Sequence, residues 1–121
     1  AAGPCFEVVR LGNVAGSTGS VIPTWRAMLA AGRASVPITD PDCTRFWMTP
    51  PEAACAVIAG QSPAMLPAYS LGDLAEAMGV KTRTVGLRAF EKKHELLRAG
   101  VSSKHAKRMT VAELREALCA L

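Results

Sequence analysis

Residues Val8 to Pro23 read V-V-R-L-G-N-V-A-G-S-T-G-S-V-I-P, and the architecture expected of the whole chain follows from them. The β-branched valines that open the stretch favour a strand, which we predict over Cys5 to Leu11. Three glycines then disfavour regular structure, so Gly12 to Ser20 is predicted to be a loop. Pro23 suits the first turn of a helix that ends at Gly32. Backbone N–H groups in such a strand–loop–helix unit can approach a phosphate closely.

The rest of the chain mixes short strands with helices, which predicts an α/β fold. Further strands are predicted at Val36–Thr39, Arg45–Met48 and Arg83–Leu87. A capping-box spacing, in which a hydroxyl is followed three residues later by an acid, marks helix starts at Thr49, Ser70 and Thr110. We expect the first two of these helices to end at Gly60 and Gly79, and the third to continue to Leu121.

Composition restricts the function classes without selecting one. The chain has 121 residues, 50% of them hydrophobic and 20% charged, which suits one soluble domain. Its net charge of +4 favours anionic partners such as phosphates. No apolar run is long enough to span a bilayer, so no membrane partner is expected. The cysteines and histidines do not fall at metal-ligand spacing, so we predict no metal site and a reduced, cytoplasmic protein.

The residues alone leave several interpretations open. The glycine loop, with Asp40 about twenty residues later where a dinucleotide-binding fold keeps an acid for ribose, is compatible with a first Rossmann unit. The same loop can be purely structural, because its glycines lack the G-x-G-x-x-G spacing. Leu74 to Arg88 has the pattern of a helix-turn-helix DNA-binding module, with Gly79 at the turn. Gly86 disfavours that alternative, since glycine inside a recognition helix costs about 1 kcal/mol relative to alanine.

Three further segments occur in order with Val8–Pro23. They are Pro37–Ala53 (P-I-T-D-P-D-C-T-R-F-W-M-T-P-P-E-A), Tyr69–Met78 (Y-S-L-G-D-L-A-E-A-M) and Val85–Glu95 (V-G-L-R-A-F-E-K-K-H-E). Together the four segments resemble the inverting UDP-N-acetylglucosamine 4,6-dehydratases. These enzymes belong to the polysaccharide-biosynthesis branch of the extended short-chain dehydrogenase/reductase family. Four matches in register are far less expected by chance than one helix-turn-helix pattern, so nucleic acid is a disfavoured partner.

The resemblance implies a fold, a cofactor and partners. The chain would be the C-terminal part of a Rossmann-type fold together with the small substrate-binding domain. Residues 5–60 would end the Rossmann-type portion and carry the substrate loop, and residues 61–121 would form a small α/β subdomain with a C-terminal helix. Family members bind NADP and a UDP-sugar, and the resemblance implies a homo-oligomer. They oxidise the sugar at C4, eliminate water across C5 and C6, and return hydride to C6 with inversion at C5.

The chain itself lacks the family's catalytic pair. Its single tyrosine, Tyr69, is followed four residues later by Asp73, so no Tyr-x-x-x-Lys pair is present. In the family the cofactor loop and the catalytic Asp, Lys and Tyr precede the matched segments, in sequence that this chain does not contain. Without that pair we find no group to move the C4 hydroxyl proton. We therefore predict no catalytic residue here, and a part that is inactive without an N-terminal Rossmann part.

The resemblance nonetheless assigns candidate binding residues. On the substrate side they are Asn13, Val21, Thr39, Arg45 and Arg88. Along the nicotinamide end of the cofactor they are Val14, Ala15, Gly16, Ser17 and Thr18. Asn13 would donate to a diphosphate oxygen. A charge-assisted fork from Arg88 to the diphosphate would be worth about 1.5–3 kcal/mol.

Structural alternatives stand beside these assignments. They are a loop cap for Asn13, core packing for Val21, a strand-end turn for Thr39 and a solvated charge for Arg88. For Arg45 we favour a structural ion pair with a nearby acid, and for His94 a structural role over that of a base. The sequence also departs from the family. Thr18 replaces a common arginine, and Ala89-Phe90 replaces Pro-Gly, so the substrate loop loses a rigid turn.

Overall fold

The computed structural model describes residues 5–121, in which short helices and strands alternate. The helices are α1 (Val21–Ala30), α2 (Pro50–Ala59), α3 (Leu71–Met78) and α4 (Val111–Cys119). The strands are β1 (Val36–Ile38), β2 (Thr44–Phe46), β3 (Ala68–Ser70), β4 (Thr82–Thr84), β5 (Leu96–Arg98) and β6 (Val101–Ser102). The α/β class is confirmed, and β1 and β2 fall where strands were predicted, with slightly shifted ends.

Within the described residues the strands pair two by two. β1 and β4 are parallel, and the Val85 N–H extends this pairing by donating to the Ile38 carbonyl at 2.8 Å. The crossover between them contains α2 and α3, as parallel strands require a long connection. β2 and β3 are antiparallel, with Arg45 opposite Tyr69. β5 and β6 form an antiparallel hairpin with an irregular register.

The buried side chains form two clusters. The first joins α1, β1, α3 and α4, and its members include Ile22, Trp25, Val36, Leu74 and Leu114. The second lies where β2, β3 and β5 meet α2, and its members include Phe46, Met48, Ala53 and Leu97. The loop Gly12–Ser20 touches both, since Ala15 belongs to the first cluster and Val14 packs against the second. The loop is therefore fixed at the junction of the two cores.

The helix ends follow the predicted chemistry. The hydroxyls of Thr49 and Thr110 accept the N–H of the glutamate three residues later, at 3.3 and 3.1 Å, and each glutamate accepts the threonine N–H in return. Ser70 accepts an N–H at 3.1 Å without a reciprocal bond, because the aspartate there is one methylene shorter. Gly60 and Gly79 end α2 and α3 with φ of +65° and +69°.

The prediction of a strand over Cys5–Leu11 is wrong, because the structure shows no strand there. These residues pair with no strand, and the hydrogen bond that ties the segment down runs from the Arg10 N–H to Ser62 Oγ at 2.7 Å. Val8 is 87% exposed, whereas Val9 packs against the second core. A strand needs a neighbour to accept and donate its backbone hydrogen bonds, and residues 5–121 place none beside this segment.

The segment after α3 is extended, which overturns the helix-turn-helix interpretation. The chain turns at Gly79, and the residues that would open a recognition helix form β4 against β1. β4 begins one residue before the predicted strand Arg83–Leu87 and ends earlier. Gly86 has φ of +85°, which interrupts a strand as well as a helix. The backbone of Thr82–Thr84 therefore forms its hydrogen bonds with β1 and not within a recognition helix.

Candidate functional site

The base of the loop Gly12–Ser20 is held by backbone contacts. The Ala15 N–H donates to the Met48 carbonyl at 2.8 Å, and Val14 forms a parallel bridge with Met48. Gly12 is buried, and a Cβ added there would lie 2.9 Å from the Cβ of Phe46. Glycine at this position therefore permits the loop to pass close over β2.

A cavity of about 430 Å³ opens beside this loop, between α1, β1, β2 and β3. Its volume lies in the range of small-molecule sites, about 300–1,000 Å³. Eight of the predicted binding residues line it: Asn13, Val14, Ala15, Gly16, Ser17, Val21, Thr39 and Arg45. The fold thus brings residues from three separate parts of the sequence to one place, and their roles toward a ligand remain predictions.

The two smallest substrate-side candidates differ in how free their side chains are. Val21 is half-buried and packs against the first core, so it supports the fold as well as the cavity wall. Thr39 Oγ1 makes a long contact of 3.9 Å with Cys43 Sγ. A sulfur contact at that distance is weak, which leaves the threonine hydroxyl available to a ligand. Asn13 is exposed at the cavity edge.

The guanidinium of Arg45 forms most of its hydrogen bonds with backbone carbonyls of the protein. Its Nη1 donates to the carbonyls of Thr44 at 2.7 Å and Lys93 at 3.0 Å, and its Nη2 donates to the carbonyl of Lys92 at 2.8 Å. Nη2 also lies 4.0 Å from Glu91 Oε1. The structural ion pair favoured from the sequence is present, but the backbone carbonyls contribute the shorter contacts. Arg45 therefore fixes the segment that follows Phe90, and the residue also lines the first cavity.

Arg88 lines a second cavity, of about 610 Å³. The two cavities share wall residues, among them Ser20, Val21, Trp25, Thr39 and Glu91. Arg88 does not line the first cavity and Asn13 does not line the second, so the structure places these two candidates in different, neighbouring cavities. Thr18 is exposed and lines neither cavity, so the structure does not bring it together with the other cofactor-side candidates.

An aromatic pair forms the floor of the first cavity. The rings of Trp47 and Tyr69 meet edge to face, with centroids 5.8 Å apart and planes at 76°. Burial, together with the negative charge of Glu95, raises the pKa of Tyr69 to about 12, although the positive charge of Arg45 acts to lower it. At neutral pH this phenol is therefore protonated and cannot accept a proton as a general base.

Two acids near the site were not among the residues predicted from sequence. Glu91 lines both cavities and accepts the Arg88 N–H at 3.2 Å. Glu95 Oε1 is buried without a hydrogen-bond partner among residues 5–121. Burial raises the pKa of Glu95, while the N–H groups of Asn13 and Phe46 and the charge of Arg45 lower it. Both acids lie in the segment Val85–Glu95, and the resemblance of that segment to the family could have identified them as site residues.

His94 takes part in a buried hydrogen-bond network, as its predicted structural role requires. Its Nδ1 lies 2.6 Å from Thr44 Oγ1, which in turn lies 2.7 Å from Ser103 Oγ. Ser103 Oγ also accepts the Glu95 N–H at 2.7 Å. Burial lowers the pKa of His94, and the neighbouring lysines and arginines lower it further. The network joins β2 to the segments around β5 and β6.

Residues 5–121 contain neither a cluster of metal-ligand side chains nor a helix that could span a membrane. No three His, Cys, Asp or Glu side chains in that range gather as a metal site would require. Cys43 is buried, and the other cysteines are exposed and free. None of the helices in the same range has the length and apolar character to cross a bilayer.

These features define the class of protein. A glycine-rich loop leads into α1 beside two cavities that share wall residues, an arrangement that resembles the Rossmann-type part of a nucleotide-binding protein. Residues 1–114 match the polysaccharide biosynthesis protein family. The chain belongs to this family, which is the polysaccharide-biosynthesis branch of the extended short-chain dehydrogenases/reductases expected from its sequence.

Individual relatives agree with this assignment. The chain is 33% identical over 102 residues to UDP-N-acetylglucosamine 4,6-dehydratase (inverting) of Campylobacter jejuni, covering 76% of this chain and 30% of that protein. It is 47% identical over 53 residues to the capsular polysaccharide biosynthesis protein CapD of Staphylococcus aureus, covering 44% and 9%. The structure of Pen from Bacillus thuringiensis matches with a TM-score of 0.81 and 27% identity, over 93% of this chain and 48% of that one. The chain thus spans under half the length of each.

Proposed function

We propose that the chain is the substrate-binding part of an NADP-dependent, inverting UDP-N-acetylglucosamine 4,6-dehydratase in polysaccharide or nucleotide-sugar biosynthesis. The observation that carries the proposal is the convergence of eight predicted binding residues on one cavity. The relative from Campylobacter jejuni is named for this reaction. In this proposal residues 5–60 and 61–121 keep the two roles expected from the sequence, and the protein is a cytoplasmic homo-oligomer.

Two neighbouring cavities suit a nucleoside diphosphate sugar. Such a ligand is long and flexible, with a diphosphate between two ring systems, and in this proposal it extends over both cavities, which share wall residues. Arg88 is exposed in the second cavity, whereas the guanidinium of Arg45 is occupied by carbonyls. Arg88 is therefore the better cation for the diphosphate, and the Asn13 amide can donate to its oxygens from the neighbouring first cavity.

The cofactor-side residues partly fit NADP. Val14, Ala15, Gly16 and Ser17 line the first cavity with small side chains, which leaves room for a flat ring against the loop. Thr18 lies outside it, so we assign the nicotinamide contact to Val14–Ser17 alone. The bound cofactor would supply hydride removal from C4 and hydride return to C6. The residues of this chain would orient the sugar and shield it from water.

Proton transfer would come from outside this chain. Tyr69 stays protonated because burial raises its pKa, and it has no lysine partner. The proposal therefore requires an N-terminal Rossmann part that carries the Tyr-x-x-x-Lys pair and most of the cofactor contacts. Partner binding of this kind stabilises the folded form by mass action.

The proposal is tested by separating binding from turnover. We expect the chain to bind UDP, measured by calorimetry, and R88A to weaken that binding about tenfold or more. R115A removes an exposed arginine of α4 that lines neither cavity, so it serves as the control and should bind UDP normally. Incubation with UDP-N-acetylglucosamine and NADP should yield no 4-keto-6-deoxy sugar until the N-terminal part is added. Turnover by the chain alone, or the absence of UDP binding, would contradict the proposal.

A further inference from the structure

Phe90 is held in an unfavourable state at the mouth of the second cavity. Its backbone has φ of +70°, and among residues 5–121 it is the one non-glycine residue with a positive φ. Its side chain is fully exposed. A left-handed backbone is disfavoured for a bulky residue, and an exposed ring forgoes the burial that an aromatic side chain normally gains. Both features cost stability, and strain of this kind is concentrated at ligand-binding sites.

The turn that presents Phe90 is closed by its neighbours. The Glu91 N–H donates to the Arg88 carbonyl at 3.0 Å, and Glu91 Oε2 accepts the Arg88 N–H at 3.2 Å. Arg45 binds the carbonyls of Lys92 and Lys93 directly after the turn. These hydrogen bonds fix the turn that contains Phe90, so the fold determines where the backbone of this residue lies at the cavity mouth.

The second cavity has the composition of a site for a flat ring with a charged neighbour. One wall is the α1 side, where Val21 and Met28 contribute apolar surface. Val85 and Phe90 also line this cavity. Arg88 stands on the same turn as the aromatic ring. A nucleotide combines a planar base with an anionic phosphate, and base stacking on an aromatic side chain together with a cation on the phosphate is its usual mode of recognition.

We infer that Phe90 stacks on the base of the bound nucleotide and distinguishes ligands that carry a base from those that do not. The inference rests on the proposed function for the class of ligand, and it adds the residue that recognises the base. Stacking would bury the exposed ring and offset the backbone strain at Phe90. It also predicts that a ligand with a base gains affinity from this residue, whereas inorganic diphosphate does not.

The test compares ligands and variants in the full chain. F90G relieves the left-handed strain and removes the ring, so we expect its melting temperature to rise while its affinity for UDP falls at least about fivefold. F90W should retain UDP binding, because it keeps a stacking surface. M65A removes another exposed apolar side chain, which lines neither cavity, and should bind UDP as the unaltered chain does. Inorganic diphosphate should bind F90G and the unaltered chain equally.

The outcomes separate the two proposals. If the unaltered chain binds no UDP, the proposed function fails and the inference fails with it. If UDP binds but F90G binds it equally well, the proposed function stands and the role of Phe90 is wrong. Should F90G instead abolish self-association seen by sedimentation, with UDP affinity unchanged, the ring contacts a second protein chain and not a base.

Discussion

Thr44 Oγ1 lies 2.6 Å from Nδ1 of His94, and this contact joins β2 to the segment before β5. Thr44 is almost fully buried, and it also contacts the buried Ser103. Buried polar groups are costly unless each finds a partner, so the neutral imidazole is part of a satisfied network. Protonation would add a charge beside Lys93 and Lys104, which already lower the pKa of His94.

Acid should therefore destabilise the chain through His94. A histidine with a lowered pKa binds fewer protons folded than unfolded, so its stabilising contribution is complete above the unfolded pKa of about 6.5 and is lost as pH falls through the folded pKa. Urea unfolding between about pH 7.5 and pH 5 should show this loss. H94Q keeps a partner for Thr44 without titrating, so its slope should be smaller. H105Q is the control, and an equal slope in H94Q would refute the prediction.

A methyl group at Gly12 should disturb the loop. In G12A the new Cβ would meet the Cβ of Phe46 at 2.9 Å, and overpacking of this kind costs about 1–3 kcal/mol. G19A is the matched variant, because Gly19 has φ of +80° but no atom within 4 Å of an added Cβ. Both should lower the melting temperature, but we expect G12A alone to weaken UDP binding as the loop moves. Equal UDP affinities would contradict the steric account.

Replacing Arg45 by lysine should loosen the segment after Phe90. A single ammonium cannot reach the carbonyls of both Lys92 and Lys93, so R45K should lose stability on the order of 1 kcal/mol in urea unfolding. R83K, on exposed β4, should change little. If R45K unfolds normally but binds UDP more weakly, Arg45 acts on the ligand and the structural role is wrong.

The stability lost on removing each of the three helix caps should follow the number of hydrogen bonds that the cap makes. T49A and T110A each remove a complete capping box and should cost about 1 kcal/mol. Ser70 makes a single capping bond, so S70A should cost less. Chemical denaturation of the three variants measures the difference. A cost for S70A as large as that for T49A would show that the reciprocal bond contributes nothing.

The segment Cys5–Leu11 should change state when an N-terminal Rossmann part is supplied. Val8 and Phe6 are exposed in this chain, and the segment has β-branched residues suited to a buried strand. We expect little hydrogen-exchange protection at Val8 to Leu11 in the chain alone and strong protection in the combined protein. Strong protection in a monomeric sample of the chain alone would be evidence that the segment folds without a partner.

Local chemistry in the sequence was enough to predict the caps, the glycine helix ends and the loop beside the cavity. These features depend on residues within a few positions, as at Thr49 and Gly79. The error at Cys5–Leu11 has the opposite cause, because strand pairing needs a neighbour that β propensity does not specify. The burial of Glu95 and the carbonyl contacts of Arg45 could not be predicted for a related reason. Both depend on residues far apart in the sequence; Arg45 and Lys93, for example, are about fifty positions apart.

The bonds of β2 have a consequence for how this gene can recombine. β2 pairs with β3, Thr44 contacts Ser103, and Arg45 donates to the carbonyls of Lys92 and Lys93. Each of these contacts joins a residue before Gly60 in the sequence to one after it. A crossover between two homologous genes near that codon would combine Thr44 from one parent with the residue at position 103 from the other. Where that residue has no hydroxyl, Thr44 would lose a buried hydrogen-bond partner, which costs stability. We therefore expect natural exchange between relatives to carry codons 44 to 103 as one block.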